Sequence, residues 1–129
     1  MKRTQIKRKK TSQKTIRKRL HAKAWKLMSE YVRKRDNHIC VTCGKPGTQA
    51  GHFHHGKLDF CFENVHCQCA GCNKYKHGNL AKYASYIVNT YGVGKLEELE
   101  LWSNEVIKYT VSDYEAIINN LEWLIKEGR

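Results

Sequence analysis

Cys40 and Cys43 form one C-x-x-C pair and Cys69 and Cys72 form a second, with 25 residues between them. Two thiolates on one tight turn can take two corners of a tetrahedron. A second such turn supplies the other two, so the two pairs specify a closed structural Zn2+ site of four thiolates. A disulfide reading competes, as does a redox C-x-x-C. Neither suits a chain without a signal-like apolar leader and without a thioredoxin-like βαβ pattern around the cysteines. No stretch of about 18 apolar residues could span a bilayer, so the expectation is a soluble intracellular protein with no membrane partner. A site closed by four cysteines has no position open to substrate, so this metal would hold structure and do no chemistry. Cys61 and Cys67 are then left over and read as buried or partly buried free thiols.

The chain has 129 residues, the usual size of one domain and small enough for a metal to matter to its stability. Residues 36–79 read as short strands and turns punctuated by "CGKPG", "AGH" and "HGN", an irregular stretch that a bound metal would organise. Helices flank it. Leu20, Ala24, Leu27, Met28, Tyr31 and Val32 fall on one helical face, with Arg33, Lys34 and Arg35 suited to the negative end of its dipole. After the cysteines, "LAKYASYIVNTYG" predicts a helix from Leu80, capped by Asn79 and stopped at Gly92. Another is expected over about 95–108, and a last one from about Ser112, where "SDYE" reads as a capping box. The fold class expected is α+β: a zinc-held core at about 36–79 between helices, with C-terminal helices over 80–129 and one domain over 20–129.

Charge suggests the partner. Of the 24 Lys and Arg, ten lie in residues 2–19, which contain no acid. Residues 20–94 carry ten basic and four acidic groups, and 95–129 carry four basic and eight acidic. The net charge of +12 is thus concentrated in an N-terminal tail, residues 1–19, and in the cysteine-rich middle. A polyanion such as DNA fits that distribution, because Lys and Arg on phosphates release condensed counterions. The tail lacks apolar periodicity and is expected to be unfolded or loosely helical. A solvated arm with no single target is the alternative reading of the tail alone.

With zinc pinning Cys40 near Cys72, residues 44–68 return as a hairpin. His52 then lies on its first strand, Asn64 in the loop after the second, and Asn73 on the first turn of the helix following Cys72. A strand histidine facing a helix-borne oxygen ligand is the layout of a one-metal nuclease. The imidazole takes a proton from water, and a divalent ion stabilises the phosphorane and the leaving oxygen.

The segments "CVTCG", "AGHF", "FENVHCQCAGCN" and "KHGNLAKY" resemble the phage NinG family, also called Rap, of lambdoid recombination endonucleases. The resemblance covers about residues 24–125. The two knuckles, with Asn directly after the last Cys, are also similar to recombination endonuclease VII, a His-Me finger nuclease of the HNH type with a ββα-metal core. The family resemblance implies that Cys40, Cys43, Cys69 and Cys72 bind structural zinc and that His52 is the general base. It implies further that Asn73 holds a catalytic Mg2+ or Mn2+, and that Asn64 fastens the loop between the second strand and the helix and so orients His52. The implied activity is cleavage of branched DNA, such as Holliday junctions and D-loops, in the cytoplasm of a bacterial host. Lys7, Arg8, Lys9, Lys10, Arg33, Arg35, Lys74 and Lys76 are the expected phosphate contacts. A homodimer is expected from the two equivalent strands of a four-way junction.

One departure stands out. Related nucleases have Asp just before the catalytic His, as a second metal ligand, where this chain has Gly51. Asp59, Glu63 or His77 could supply a ligand instead, or phosphate and water could fill the remaining positions. His54, two residues from His52, would share its face and is a rival base or phosphate contact, while His55 would face away. His66 is expected to orient a zinc ligand through a hydrogen bond, and His21 and His38 to lie on the surface. Asn73 has the simpler reading of a helix-start residue. Tyr83, Tyr86, Tyr91, Tyr114, Trp102 and Trp123 read as core. Two other functions fit the same residues: a zinc-held module that binds nucleic acid without cutting it, and a nuclease of this fold acting on linear duplex.

Overall fold

The computed structural model describes residues 12–128. Helix α1 spans Gln13–Arg35, so it begins seven residues before the apolar periodicity and takes in residues first read as tail. Its first two turns carry no apolar stripe. They form because the segment holds no Pro or Gly and the Ser12 hydroxyl accepts from the Thr15 amide, which supplies the N-cap. Lys7, Arg8, Lys9 and Lys10 lie outside the described residues. Further along, Ala24, Met28 and Val32 are buried, the face the spacing predicts. The helix ends at Asn37 and His38, both left-handed (φ 56° and 57°), which turn the chain into the first knuckle. His38 is exposed.

Strands β1 (Gln49–His52) and β2 (Val65–Gln68) pair antiparallel, with Gly51 opposite His66 and His52 opposite Val65. β2 is buried throughout because it lies between α1 on one side and α2 on the other. The sheet is thus the small two-stranded one that the expected hairpin requires, in a mixed α+β chain. Asn64 sits immediately before β2 rather than in a loop after it.

Past the second knuckle, the expected helix is a single π-helical turn, Gly71–Tyr75. Left-handed His77, Gly78 and Asn79 then break the chain before helix α2, Leu80–Tyr91. Asn79 holds the N-cap position but makes no capping bond. Its side-chain amide points to Cys72 Sγ at 3.6 Å instead. Gly92 (φ 92°) stops α2 as expected.

Helix α3, Gly94–Ser103, is shorter than the predicted 95–108. The residues after it leave the helix in a turn, and there Ile107 packs with Leu58, Tyr83, Ile87 and Leu99 and the Tyr109 hydroxyl donates to the Lys57 carbonyl at 3.0 Å. Helix α4, Val111–Glu127, does start with a capping box, but Thr110 and Asp113 form it, two residues earlier than the SDYE reading. Leu121 of α4 joins Met28, Val32 and Val65 in one buried cluster, and Ile118 and Tyr114 join Ala24 in another. Among the described residues no helix is long and apolar enough to cross a membrane.

Candidate metal centre and histidine site

The sulfurs of Cys40, Cys43, Cys69 and Cys72 all lie within 4.8 Å of one another, with Cys43 Sγ and Cys69 Sγ 3.6 Å apart. Ligands about 2.3 Å from one zinc ion at tetrahedral angles stand roughly 3.8 Å apart, so the spacing fits a structural metal such as zinc. Short-range contacts build the site. Cys40 and the Lys45 carbonyl close the first turn (2.7 Å), and the Val41 amide donates to the Cys67 carbonyl (3.0 Å), tying that turn to β2.

The thiol acidities fit a cation centre too. Burial pushes the Cys40 thiol up, but hydrogen bonds from the Thr42 hydroxyl and from backbone amides outweigh it and leave it at about 6. Burial also opposes ionisation of Cys72, which Thr42 and Asn79 overcome, so its pKa is lowered. At Cys43 a backbone bond at Lys45 favours the thiolate, yet burial and the three neighbouring sulfurs prevail and push it up to about 12. Four sulfurs this close cannot all ionise alone, and a divalent cation is what lets them. Cys61 and Cys67 stay outside the cluster as free thiols, and burial pushes both up to about 11.

On the other side of the hairpin, His52 ends β1. Its ring stacks on Trp25 of α1 (centroids 4.4 Å apart, planes at 12°) and touches His55 at 4.9 Å. His55, not His54, is therefore the second histidine against it, because β1 stops at His52 and the strand alternation stops there too. His52 Nδ1 lies 2.9 Å from Asp59 Oδ1, at an angle that falls short of a hydrogen bond and leaves both buried atoms without one. The other Asp59 oxygen faces His21 Nε2 at 3.4 Å, and His21 Nδ1 is 3.1 Å from the Tyr114 hydroxyl. His21, expected at the surface, thus links α1 and α4 to the carboxylate behind His52.

Asn64 fastens the loop between the strands. Its Oδ1 accepts from the His54 amide (2.9 Å), and its Nδ2 donates to the carbonyls of His54 (2.9 Å) and Leu58 (3.1 Å). The side chain is fully buried, and the loop it pins is the one that brings Asp59 back to His52.

Asn73 lies across β1 on the face of Gln49 and Gly51. Its Nδ2 donates to Gln49 Oε1 at 2.8 Å, which leaves Oδ1 as the atom free for a cation. A Cβ on Gly51 would meet Asn73 Oδ1 at 2.9 Å and Gln68 Oε1 at 1.8 Å. Gln68 cannot easily give way, since it is fully buried and its amide nitrogen is held by Gly78 O (2.8 Å) and Thr42 Oγ1 (3.2 Å). That packing leaves no room for a side chain at position 51. Of the other acids, Glu63 is engaged by Cys61 Sγ (3.3 Å) and Lys95 (3.9 Å). His77 is exposed in its left-handed turn.

His66 does not reach the cysteines. Tyr83 O–H donates to the Gly51 carbonyl (2.7 Å), so its oxygen accepts from His66 Nδ1 (3.0 Å), and His66 Nε2 accepts from Tyr91 O–H (2.8 Å). Burial first, and the Arg35 charge second, push this imidazole down to about 3. Arg35 is likewise turned inward. It pairs with Asp36 and donates to the carbonyls of Phe62 (2.8 Å) and Val65 (2.7 Å). Arg33 binds the Ser29 carbonyl within its own helix, while Lys74 and Lys76 are exposed. The roles of Thr42, Asn79, Trp25, His21 and Gln68 escaped the sequence reading; only Thr42, inside a C-x-x-C turn, carried a local signal.

Fold and site together define a mixed α+β protein with a four-cysteine cluster suited to a structural metal, beside a histidine-bearing hairpin. The family model described as Bacteriophage Lambda NinG protein matches residues 1–129, and the chain belongs to the NinG family. It is 30% identical to protein ninG of Escherichia phage 933W in a match 114 residues long that covers 82% of this chain and 56% of that protein. Against protein ninG of Escherichia phage lambda the identity is 28% over 114 residues (82% and 55%). Against that of Salmonella phage P22 it is 28% over 112 residues (76% and 55%). The chain spans about half the length of the curated relatives it matches. No solved structure matches it.

Proposed function

We propose that this protein is a metal-dependent endonuclease of the His-Me finger (HNH) type, cutting branched recombination intermediates such as Holliday junctions and D-loops in the host cytoplasm. The observation that carries the reading is His52, an imidazole at a strand end with 20% of its side chain exposed, backed by a buried carboxylate and clamped by an indole. The order of hairpin, knuckle and helical turn supports a ββα-metal core, with zinc on the four cysteines holding it in shape.

In this mechanism Asp59 holds the proton on His52 Nδ1, so Nε2 carries the lone pair that takes a proton from the attacking water. Trp25 and His55 restrict the ring's rotation, and Asn64 keeps the Asp59 loop in place. Asn73 Oδ1 would hold a Mg2+ or Mn2+, which supplies Lewis-acid stabilisation of the phosphate and the leaving oxygen. Gly51 would leave that ion one protein ligand fewer than an Asp, so phosphate and water oxygens would have to supply the rest and affinity without DNA would be weak. Lys74 and Lys76, beside Asn73, neutralise phosphates. Two copies on one four-way junction would present two sites to its equivalent strands.

The test is cleavage of a labelled four-way junction and its matching linear duplex with Mg2+ or Mn2+, using wild type and a zinc-loaded His52→Ala variant. Junction cleavage that His52→Ala abolishes is the expected result. Equal cutting of the linear arms would make it a duplex nuclease. Binding without cutting under either metal would favour a zinc-held binding module, a reading that the tightly packed Gly51 supports.

A further inference from the structure

Helix α1 lies outside the proposed ββα core, yet it forms one wall of the His52 site. Trp25 stacks on His52, and His21 faces the carboxylate behind it. Four residues along α1, Lys14, Lys18, His21 and Trp25, stand at i, i+4, i+7 and i+11, the spacing of one narrow helical stripe. Lys14 and Lys18 are exposed, and His21 keeps 39% of its side chain exposed. From Lys14 to Trp25 the helix rises roughly 16 Å, the length of about five base-pair steps of duplex.

The other α1 cations sort differently: Arg17 is half-buried beside Tyr114 of α4. Lys23 pairs with Glu122 of α4 (3.8 Å) and Lys34 with Glu30 (3.4 Å), while Arg33 and Arg35 bond backbone carbonyls. Arg19 and Lys26 are exposed without a partner among the described residues, but each follows a stripe residue and so points about 100° away around the helix. Only the Lys14 and Lys18 positions combine exposure with a direction that ends on His52.

We infer that this stripe is a backbone-binding track: Lys14 and Lys18 hold successive phosphates of one DNA strand and lead it across His21 and Trp25 to His52. The ligand is the sugar–phosphate backbone, bound without regard to sequence. The inference rests on the proposed nuclease reading for its destination, but binding can be tested without cleavage.

The experiment uses the full chain, zinc-loaded, with a fluorescein-labelled four-way junction and no added Mg2+ or Mn2+. Lys14→Glu/Lys18→Glu is compared with Arg19→Glu/Lys26→Glu, which makes the same charge change on a neighbouring face of the same helix. The track pair is expected to weaken binding about tenfold or more at 0.1 M salt and to lower the salt slope by about two. The control pair is expected to lose less than threefold. Wild-type and control imidazole NMR signals of His21 and His52 move when DNA is added, and those of the track variant do not. Lys14→Gln/Lys18→Gln, with a milder loss in the same order, covers the case in which charge reversal disturbs folding. Equal losses in the two Glu pairs would overturn the track, as would His21 and His52 signals that ignore bound DNA. Track-specific binding by a protein that cuts nothing would uphold it and bring down the nuclease reading alone.

Discussion

At the residue scale the proposed chemistry turns on which nitrogen of His52 carries the proton. Asp59 sits on Nδ1, and an anion there favours the Nδ1–H tautomer and leaves Nε2 as the base. Asp59→Asn keeps the shape and removes that charge. The expected result is a drop in junction cleavage of about 10²-fold with little change in melting temperature, and a shift of His52 toward the Nε2–H tautomer in 15N spectra. An unchanged tautomer would show that Asp59 only fills space. His66 gives a second prediction of a different kind. Its folded-state pKa of about 3 lies below the ordinary 6.5, so between those values the unfolded chain binds a proton that the folded chain refuses. Stability is therefore whole above pH 6.5 and declines as pH falls toward 3, by up to about 1.4 kcal/mol per unit. In His66→Gln, urea melts between pH 7 and 5.5 should show a flatter dependence than in wild type; parallel slopes would mean that other groups set the acid limit.

At the scale of elements, two knuckles and a clamp organise the hairpin. Because among the described residues only Cys40, Cys43, Cys69 and Cys72 converge, Cys72→Ser should lose most of its zinc by mass spectrometry and melt far lower. Cys61→Ser and Cys67→Ala should each keep one zinc per chain. A zinc loss in Cys67→Ala equal to that of Cys72→Ser would reassign the fourth ligand. The knuckles could be read from the sequence because each pair of ligands is local, and the hairpin between them followed from chain closure. What could not be read depended on contacts across the fold. Asp59 reaches His52 only because Asn64 pins the intervening loop, and His21 meets Asp59 across 38 residues of chain. Arg35 looked like a phosphate ligand because nothing nearby in sequence announces that the Phe62 and Val65 carbonyls need donors. The early start of α1 was hidden for the opposite reason: a polar, exposed helix has no apolar rhythm to detect.

Across the whole molecule, the metal centre and the α1–α4 layer hold opposite sides of one hairpin. The cysteines shape the knuckles, while Leu121 of α4 packs with Met28 and Val32 of α1 and Val65 of β2. The second contact is what presses Trp25 against His52. Leu121 is 1% exposed, so Leu121→Ala leaves a cavity costing about 2–5 kcal/mol. Its consequences should divide along the two sides. Melting temperature and cleavage rate are expected to fall together, the latter because α1 no longer holds Trp25 and His21 in register with β1. Zinc content measured well below the melt should remain one per chain, since no cysteine ligand belongs to that cluster. Zinc lost in step with the α1 packing would mean that the hairpin cannot transmit support from one side without the other. The knuckles and the long helix would then be a single cooperative unit rather than two supports converging on His52.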